Sequence, residues 1–329
     1  MLYTEPHAAA PAFHAQLAQV ERVLLLTHIN PDGDAVGSLL GAAHVLQAIG
    51  KTPICMLSSP APSFCASLPG AEWLQVYQQG TTLPSFDLAW MLDTAAPYRV
   101  GPPAEEHAAE MTARPLMIVD HHVTNDGLGQ LNLINPQAAS NADLLFRLFQ
   151  AMQVTVSPAA ATCLYLGMLT DTQSFQTSGT SMQTLHTAAD LIAAGADRAA
   201  LVNAVYFSVP LSAEKLTACV LSELQQEGGL IWTRVTRAQL AACGADNEAT
   251  DNAIGRMQRV AGMRACVLFK ERADGTVKLS LRSVPGINVA AFAQTWGGGG
   301  HTQAAGATLD MDLATAEATV LPLLRELVS

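Results

Sequence analysis

The stretch that decides the fold is Thr27-His28-Ile29-Asn30-Pro31-Asp32-Gly33-Asp34-Ala35. It stands between an apolar run over 22–27, which is typical of a buried strand, and a helical pattern over 34–49 that ends at Gly50. A strand, a polar turn and a helix in this order form the first half of a βαβ unit, in which the turn lies at the carboxyl end of a parallel strand. The stretch therefore predicts the start of a parallel sheet and a functional site at its edge.

Further apolar runs alternate with helical patterns through the first 200 residues. We expect more strands over 52–57, 87–92 and 116–119, and more helices over 140–153, 158–169 and 181–194. Strands that alternate with helices indicate an α/β domain, a parallel sheet with helices on both faces. The helical stretch 197–224, which carries Pro210, is the expected connector to a second domain.

The last hundred residues have a different pattern. We expect a strand over 229–235, a mostly helical stretch over 236–257, a hairpin of 264–270 with 277–282, and helices over 288–296 and 313–327. This pattern predicts a smaller α+β domain that contains the glycine run Gly297–Gly300. The expected division of the chain is 1–196 for the first domain, 197–224 for the connector and 225–329 for the second domain.

Composition excludes several classes of protein. Half of the 329 residues are hydrophobic and 14% are charged, which is too apolar for a disordered chain. No apolar run approaches the roughly 20 residues that a membrane span needs. The net charge is −11, and residues 1–214 hold 6 basic and 17 acidic residues, so we expect no partner such as long duplex DNA.

The cysteines and the N-terminus indicate the compartment. None of the six cysteines forms a C-x-x-C pair, and most lie in apolar stretches, so we expect buried free thiols in a reducing compartment. The N-terminus has neither a cationic start nor an apolar core, which argues against a secretory signal. The expected location is the cytoplasm.

Four segments carry acids or histidines where a strand or helix is predicted to end. They are His28 to Asp34, Asp93, the triplet Asp120-His121-His122, and Asp171. Because the carboxyl ends of parallel strands line one edge of a sheet, we expect these side chains to converge there.

Five carboxylates held together would repel one another, and divalent cations would remove that repulsion. Oxygen and imidazole ligands without thiolate favour manganese, magnesium or zinc, and six ligands are too many for one tetrahedral zinc. They suit a pair of ions bridged by one carboxylate, which can activate a water and neutralise a phosphoryl group. Each segment alone also has a structural explanation, such as a helix N-cap at Asp32 or an ordinary loop at His121 and His122.

The two motifs His28-x-Asn30-Pro31-Asp32-Gly33-Asp34-Ala35 and Asp120-His121-His122 resemble those of the DHH phosphoesterase superfamily. The run Gly297-Gly298-Gly299-Gly300-His301 resembles its companion DHHA1 domain. Together the motifs span nearly the whole chain in the order of the family. Within it, the chain is most similar to the NrnA-type group of bifunctional oligoribonucleases and PAP phosphatases.

The resemblance implies a role for each residue of the motifs. His28 and Asp32 would bind one metal ion, Asp34, His121 and Asp171 the other, and Asp93 would bridge both. His122 would contact the phosphate or act as general acid, Asp120 would orient a histidine, and Asn30 would also touch the phosphate. The resemblance implies two divalent ions, with Mn²⁺ expected first and Mg²⁺ next.

The second domain is expected to bind the phosphates of the substrate. Arg282 and Ser283 end the predicted hairpin, and Gly298, Gly299 and Gly300 lead to His301. Glycine backbones can approach an anion closely, a helix starting near His301 would add its dipole, and Arg282 could bind a phosphate.

One segment departs from the family pattern. Related sequences often read Asp-Thr-Gly-Ser-Phe-Arg after the fourth metal motif, whereas this chain has Asp171-Thr172-Gln173-Ser174-Phe175-Gln176. The missing arginine removes a phosphate contact and leaves the metal ligands in place, so it bears on substrate preference.

The predicted function is therefore a metal-dependent phosphoesterase that acts on short single-stranded oligoribonucleotides and on 3′-phosphoadenosine 5′-phosphate (PAP). An enzyme alternative is hydrolysis of linear or cyclic dinucleotides, and an alternative of another class is an inactive nucleotide sensor. The six intact ligand positions argue against the sensor. The resemblance alone suggests a homodimer.

Overall fold

The computed structural model describes residues 1–246 and 249–328, and of His301 only the backbone. The described chain forms two compact units, Met1–Ser208 and Val209–Ser329. The boundary between the units falls inside the segment 197–224 that the sequence predicts as a connector.

The first unit is built on a seven-stranded parallel sheet. Its strands are β1 (Leu2–Tyr3), β2 (Arg22–Leu26), β3 (Thr52–Leu57), β4 (Leu74–Val76), β5 (Leu88–Leu92), β6 (Leu116–Asp120) and β7 (Leu131–Ile134). The spatial order is β1-β7-β6-β5-β2-β3-β4, and every neighbouring pair is parallel. The four strands predicted from the sequence are the central ones, and the three that the prediction missed are short and lie toward the sheet edges.

Helices cover both faces of this sheet, as predicted. The helices are α1 (Pro6–Ala18), α2 (Gly33–Ala48), α3 (Pro102–Glu106), α4 (Ala108–Thr112), α5 (Asn141–Ala151), α6 (Pro158–Asp171), α7 (Met182–Ala193) and α8 (Arg198–Tyr206). The larger core packs α1, α2, α5 and α6 on one face, and Trp90 lies within it fully buried. On the other face the smaller core includes Met91, Ile118 and Ala104 of α3. Because both faces are buried, the central strands read as continuous apolar runs.

Glycines bring α2 and α6 close together, and these helices carry two of the predicted metal ligands. A Cβ atom at Gly37 would lie 2.4 Å from the carbonyl oxygen of Cys163, and one at Gly167 would lie 2.5 Å from a carboxylate oxygen of Asp34. Any side chain there would push the helices apart. The glycines therefore set the distance between Asp34, near the start of α2, and Asp171, the last residue of α6.

The second unit is a six-stranded mixed sheet between two helical layers. Its strands are β8 (Gln225–Glu227), β9 (Leu230–Val235), β10 (Ala265–Glu271), β11 (Val277–Ser283), β12 (Gly299–His301) and β13 (Ala304–Leu309). The order is β12-β13-β11-β10-β9-β8, with β9 and β10 parallel and the other pairs antiparallel. The helices are α9 (Leu211–Ser222), α10 (Arg237–Cys243), α11 (Ala249–Met257), α12 (Val289–Gln294) and α13 (Leu313–Val328).

Two hydrophobic cores lie on opposite faces of this second sheet. One contains Val267 and Leu279 with side chains of α12 and α13, and the other contains Cys266 with side chains of α9 and α11. The alternation along β10 sends successive side chains to opposite faces, as expected for a sheet covered on both sides.

The predicted helix starting near His301 is wrong. The backbone there forms β12 and then turns into β13. The run of glycines led to the prediction of a loop followed by a helix. In the structure, Gly300 (φ 140°) instead allows β12 and β13 to approach each other closely.

No single helix among the described residues is long and apolar enough to cross a membrane. The pair α8 and α9, bent by 52°, passes that test of length and composition only when the two helices are taken together.

Candidate metal centre

Three of the predicted site segments meet at the ends of neighbouring strands. β2, β5 and β6 are adjacent in the sheet and run in parallel. His28 and Asp93 follow the ends of β2 and β5, and Asp120 is the last residue of β6. The structure thus brings together side chains that are up to 92 positions apart in the sequence.

His28, Asp32 and Asp93 form one group of candidate metal ligands, with one atom from each lying within 4.8 Å of the others. His28 Nε2 is 3.7 Å from Asp93 Oδ2, and His28 Nδ1 is 3.0 Å from the carbonyl oxygen of Ile29. When Nδ1 donates its proton to that carbonyl, Nε2 is left to bind a cation. Asp32 is also the N-cap of α2, but capping uses only its Oδ1. The structural explanation for Asp32 and its role as a ligand are therefore compatible.

Asp34, His121 and Asp171 form a second group with the same spacing. His121 Nε2 is 3.6 Å from Asp171 Oδ2 and 3.9 Å from Asp34 Oδ2. His121 Nδ1 lies 3.2 Å from the carbonyl oxygen of Ala138, which orients the ring in the way that Ile29 orients His28.

The N-terminus of α5 holds Asp34 in place. The backbone N–H groups of Asn141 and Ala142 donate to its two carboxylate oxygens at 2.6 and 3.0 Å. Asp34 is fully buried, and these two hydrogen bonds and the positive end of the helix dipole favour its charged form without outweighing the effect of burial.

Asp93 lies between the two groups. Its Oδ2 is near His28, whereas its Oδ1 is 3.4 Å from His121 Nε2, and it also forms a third group with His121 and His122. Its backbone adopts φ 54°, which is uncommon for a residue other than glycine. This geometry turns the two oxygens of one carboxylate toward different ligand sets.

Asp120 is fully buried and makes hydrogen bonds rather than joining any of the three ligand groups found among the described residues. Its Oδ1 accepts from the backbone N–H of His121 at 2.8 Å and lies 2.7 Å from His122 Nδ1. Its Oδ2 accepts from the Asn125 side chain at 2.6 Å. Asp120 thus contacts the ring of His122 directly, and its role in orienting this histidine stays a prediction.

Asn125 is a site residue that the sequence analysis missed. Its amide also donates to the carbonyl oxygen of Thr94 at 3.2 Å, so one side chain ties the loop after Asp93 to the loop after Asp120. The only signal in the sequence is the turn-forming pair Asn125-Asp126, which predicts a loop but not its partners.

Ser59 is a second missed residue. Its hydroxyl accepts the backbone N–H of Asn30 at 2.7 Å, and Asn30 has φ 54° and an exposed side chain. Ser59 therefore fixes the unusual backbone at the position predicted to touch the phosphate.

The carboxylates repel one another strongly. Burial, followed by the charges of Asp93 and Asp171, holds the pKa of Asp34 well above its usual range. Burial also raises the pKa of Asp171 to about 7, helped by the charges of Asp32 and Asp93 and opposed by His121. Burial alone would raise the pKa of Asp93, but the hydrogen bonds from His121 and His28 outweigh it and hold that pKa well below its usual range.

The pKa values of the three histidines shift in the direction that favours their charged form. Burial alone would lower their pKa values, but the carboxylates outweigh it and raise that of His28 to about 9 and that of His121 well above its usual value. His122 is also raised, because Asp120 outweighs burial. Protons therefore compensate the carboxylates in the protein alone. Divalent cations, bound by oxygen and imidazole, fit the same donor set and would take the place of those protons.

The segment after Asp171 is a left-handed turn. Gln173, Ser174 and Phe175 have φ values of 49°, 60° and 65°. Gln176 donates from Nε2 to the carbonyl oxygen of Gln173 at 2.5 Å. The Gln176 side chain thus stabilises the turn.

In the second unit, the predicted phosphate-binding side chains differ in their burial and in the hydrogen bonds that they already make. Arg282 is half-buried, and its Nη1 donates to the carbonyl oxygen of Leu281 at 2.9 Å. The Ser283 side chain is buried and donates to the carbonyl oxygen of Ile287 at 2.7 Å. The Ser283 hydroxyl is therefore already used within the fold.

The glycine run is required by strand packing. A Cβ atom at Gly298 would lie 2.1 Å from the carbonyl oxygen of Gly306, and one at Gly300 would lie 2.4 Å from that of Ala304. Gly299 pairs with Gly306 within the sheet. The side chain of His301 lies outside the described residues.

Comparisons with known proteins agree with this architecture. Residues 22–168 match the DHH family, N-terminal domain, and residues 235–328 match the DHHA1 domain. The chain is 34% identical to the bifunctional oligoribonuclease and PAP phosphatase NrnA of Thermus thermophilus over 92% of this chain and 89% of that protein. It is 26% identical to the protein of the same name from Bacillus subtilis over 88% and 90% of the two chains.

A solved structure shares the fold at lower sequence identity. The crystal structure of an exopolyphosphatase-related protein from Bacteroides fragilis superposes with a TM-score of 0.88 at 22% identity, and the match covers 97% of this chain and 96% of that one. The family resemblance predicted from the motifs is confirmed: the chain belongs to the DHH phosphoesterase family and carries both its DHH and its DHHA1 domain.

Proposed function

We propose that the protein is a divalent-metal-dependent phosphoesterase that hydrolyses short oligoribonucleotides to mononucleotides and PAP to AMP. The observation that carries the proposal is the pair of ligand groups that meet at Asp93. The names of the relatives from T. thermophilus and B. subtilis support the two substrates.

The proposed ligands of the first ion are His28, Asp32 and Asp93, and those of the second are Asp34, His121 and Asp171, with Asp93 shared. Two divalent ions bound there would supply the Lewis acidity that activates a water and neutralises charge on the phosphoryl group. Manganese is the proposed metal, with magnesium next, because the family resemblance implies this order and oxygen and imidazole ligands without thiolate suit both ions.

His122 is the side chain that we propose as proton donor. Asp120 holds His122 Nδ1, which leaves Nε2 for the substrate, and Asp120 outweighs burial to raise the pKa of the imidazole. A protonated His122 can donate a hydrogen bond to a phosphoryl oxygen and give a proton to the leaving oxygen. Asn30 is proposed to contact the same phosphate.

The proposed role of the second unit is to bind other phosphates of the substrate. Arg282 is the side chain best suited to this, since a guanidinium binds phosphate in a fixed geometry. Gly298, Gly299, Gly300, Ser283 and His301 complete the proposed set. We also propose a cytoplasmic location, supported by six cysteines to which the structure assigns no disulfide, four of them buried.

A substrate panel tests the function. Purified protein with manganese is offered an RNA dinucleotide, an RNA five-mer, a cyclic dinucleotide and PAP. We expect mononucleotides from the two RNAs and AMP from PAP, at higher kcat/KM than for the cyclic dinucleotide. Turnover of the cyclic dinucleotide alone would replace this proposal with the dinucleotide alternative. Tight nucleotide binding without any product would favour a sensor.

The Asp93→Ala variant tests the site. It should lose activity on every substrate and keep its fold, because the side chain lies in the ligand cluster and outside the hydrophobic cores. The Asp310→Ala variant, at an exposed position of the second unit, is the control and should keep full activity. Wild-type turnover by Asp93→Ala would contradict the ligand assignment.

A further inference from the structure

The first unit contains a cavity that none of the site residues above explains. Its volume is about 320 Å³, at the lower end of the range for small-molecule pockets. Four aromatic side chains and two polar ones dominate its lining: Tyr165, Phe175, Tyr206, Phe207, Ser174 and Arg198.

Three of the four aromatic side chains make contacts that orient them before any ligand binds. Tyr165 and Phe175 meet edge to face with their centroids 6.4 Å apart, and the hydroxyl groups of Tyr206 and Ser174 are 2.5 Å apart. Phe207 is 76% exposed at the rim. Aromatic surfaces in this arrangement suit a flat ring, which can stack on one wall and meet the edge of another.

Arg198 adds a positive charge to the aromatic walls. Its guanidinium is exposed, and its charge opposes the rise in pKa that burial imposes on the Tyr165 hydroxyl. It is one of six basic residues in the acidic region 1–214, where Arg22 and Arg147 are paired with Asp87 and Asp143. A cavity with these walls is complementary to a flat aromatic ring that carries an anionic group.

One wall of the cavity lies close in sequence to a predicted metal ligand. Its wall includes Ser174 and Phe175, two of the three consecutive residues in the left-handed conformation, and this turn begins two residues after Asp171. Residues other than glycine in this conformation cost energy, and such positions cluster at functional sites.

We propose that this cavity binds one base of the oligoribonucleotide substrate, with Arg198 contacting a phosphate of the same nucleotide. The ligand class, a nucleotide, rests on the proposed function; the aromatic ring and the anionic group rest on the cavity itself. Stacking on aromatic side chains is tolerant of sequence, which suits an enzyme that degrades any short RNA.

The direct test is AMP binding by metal-free protein in EDTA, measured by equilibrium dialysis. The Phe207→Ala variant should bind AMP on the order of tenfold more weakly, because it removes one stacking surface, whereas Phe207→Tyr should stay close to wild type. Arg198→Gln should weaken binding of AMP but not of adenosine. The control Met182→Ala removes an equally exposed apolar side chain outside the cavity and should change nothing.

Because Phe207 is at the surface, its replacement should leave the fold intact, and a thermal unfolding curve checks this. If the wild-type protein binds no AMP, or if Phe207→Ala binds it as tightly as wild type, the cavity is not a base-binding site.

A measurement of KM shows whether the base bound in the cavity belongs to the substrate. Phe207→Ala should raise KM about tenfold for an RNA dinucleotide and for the analogue that keeps the bound base, but not for the analogue that lacks this base. If wild type cleaves the dinucleotide and Phe207→Ala has an unchanged KM, the proposed function stands and the base-binding site does not. If wild type cleaves neither compound, the proposed function fails, and the AMP experiment still decides whether the cavity binds a base.

Discussion

Metal binding should release protons, and the number can be worked out from the structure. With pKa values of about 9 for His28 and about 7 for Asp171, the two groups together carry about 1.5 protons at pH 7 and about 0.8 at pH 8.5. Both groups must lose their protons to bind a cation. Titrating manganese into the metal-free protein should therefore release at least about 1.5 protons at pH 7 and fewer as the pH rises. His121, whose pKa is also raised, adds to this number.

Isothermal titration calorimetry measures this number directly. The apparent enthalpy is plotted against the ionisation enthalpy of several buffers, and the slope is the number of protons released. The His28→Gln variant should lower the slope at pH 7 by about one, whereas the control His186→Gln, at an exposed position on α7, should not change it. A slope near zero at pH 7, or the same slope at pH 7 and 8.5, would refute the reasoning that protons occupy the site before metal does.

Three further predictions follow from particular contacts. Asn125→Ala should lower kcat by about tenfold or more, because Asp120 loses a hydrogen bond at 2.6 Å; Asn135→Ala is the control, and an unchanged kcat would mean that Asn125 does not position Asp120. Gly37→Ala should lower the free energy of unfolding by about 1–3 kcal/mol in urea denaturation, because the new Cβ atom would meet the Cys163 carbonyl oxygen at 2.4 Å. Gly255→Ala on α11, where a Cβ atom meets nothing within 4 Å, should not destabilise the protein, and equal losses in the two variants would contradict the packing argument. Arg282→Gln should raise KM for an RNA five-mer about tenfold or more with kcat little changed, whereas Arg237→Gln at an exposed position should alter neither, and a KM unaffected by Arg282→Gln would remove it from the substrate site.

The sequence predicts the centre of the fold better than its periphery. The four central strands are buried on both faces and therefore appear in the sequence as apolar runs. The helix after the first of them has a clear N-cap, Asp32 before α2. β1, with two residues, and β4, with three, are too short to show a recognisable pattern of apolar residues in the sequence. They depend on pairing with β7 and β3, which a local pattern does not record.

For the metal centre, residue types and strand ends were sufficient to name the ligand candidates. The supporting contacts were not predictable, because Asn125 and Ser59 act through hydrogen bonds to parts of the chain that only the fold brings near. The secondary structure of the glycine run was not predictable from its composition. Its composition suggested a loop followed by a helix, whereas in the structure the backbone forms β12, and Gly298 and Gly300 allow close contact between strands.

The most direct test of the account is the number and position of metal ions in the protein. A crystal structure of the full chain with manganese, with anomalous scattering recorded at the manganese edge, would show them. The account predicts two ions about 3.5–4 Å apart, one bound by His28 and Asp32, the other by His121 and Asp171, with Asp93 between them. A single ion, or two ions that do not share Asp93, would contradict it.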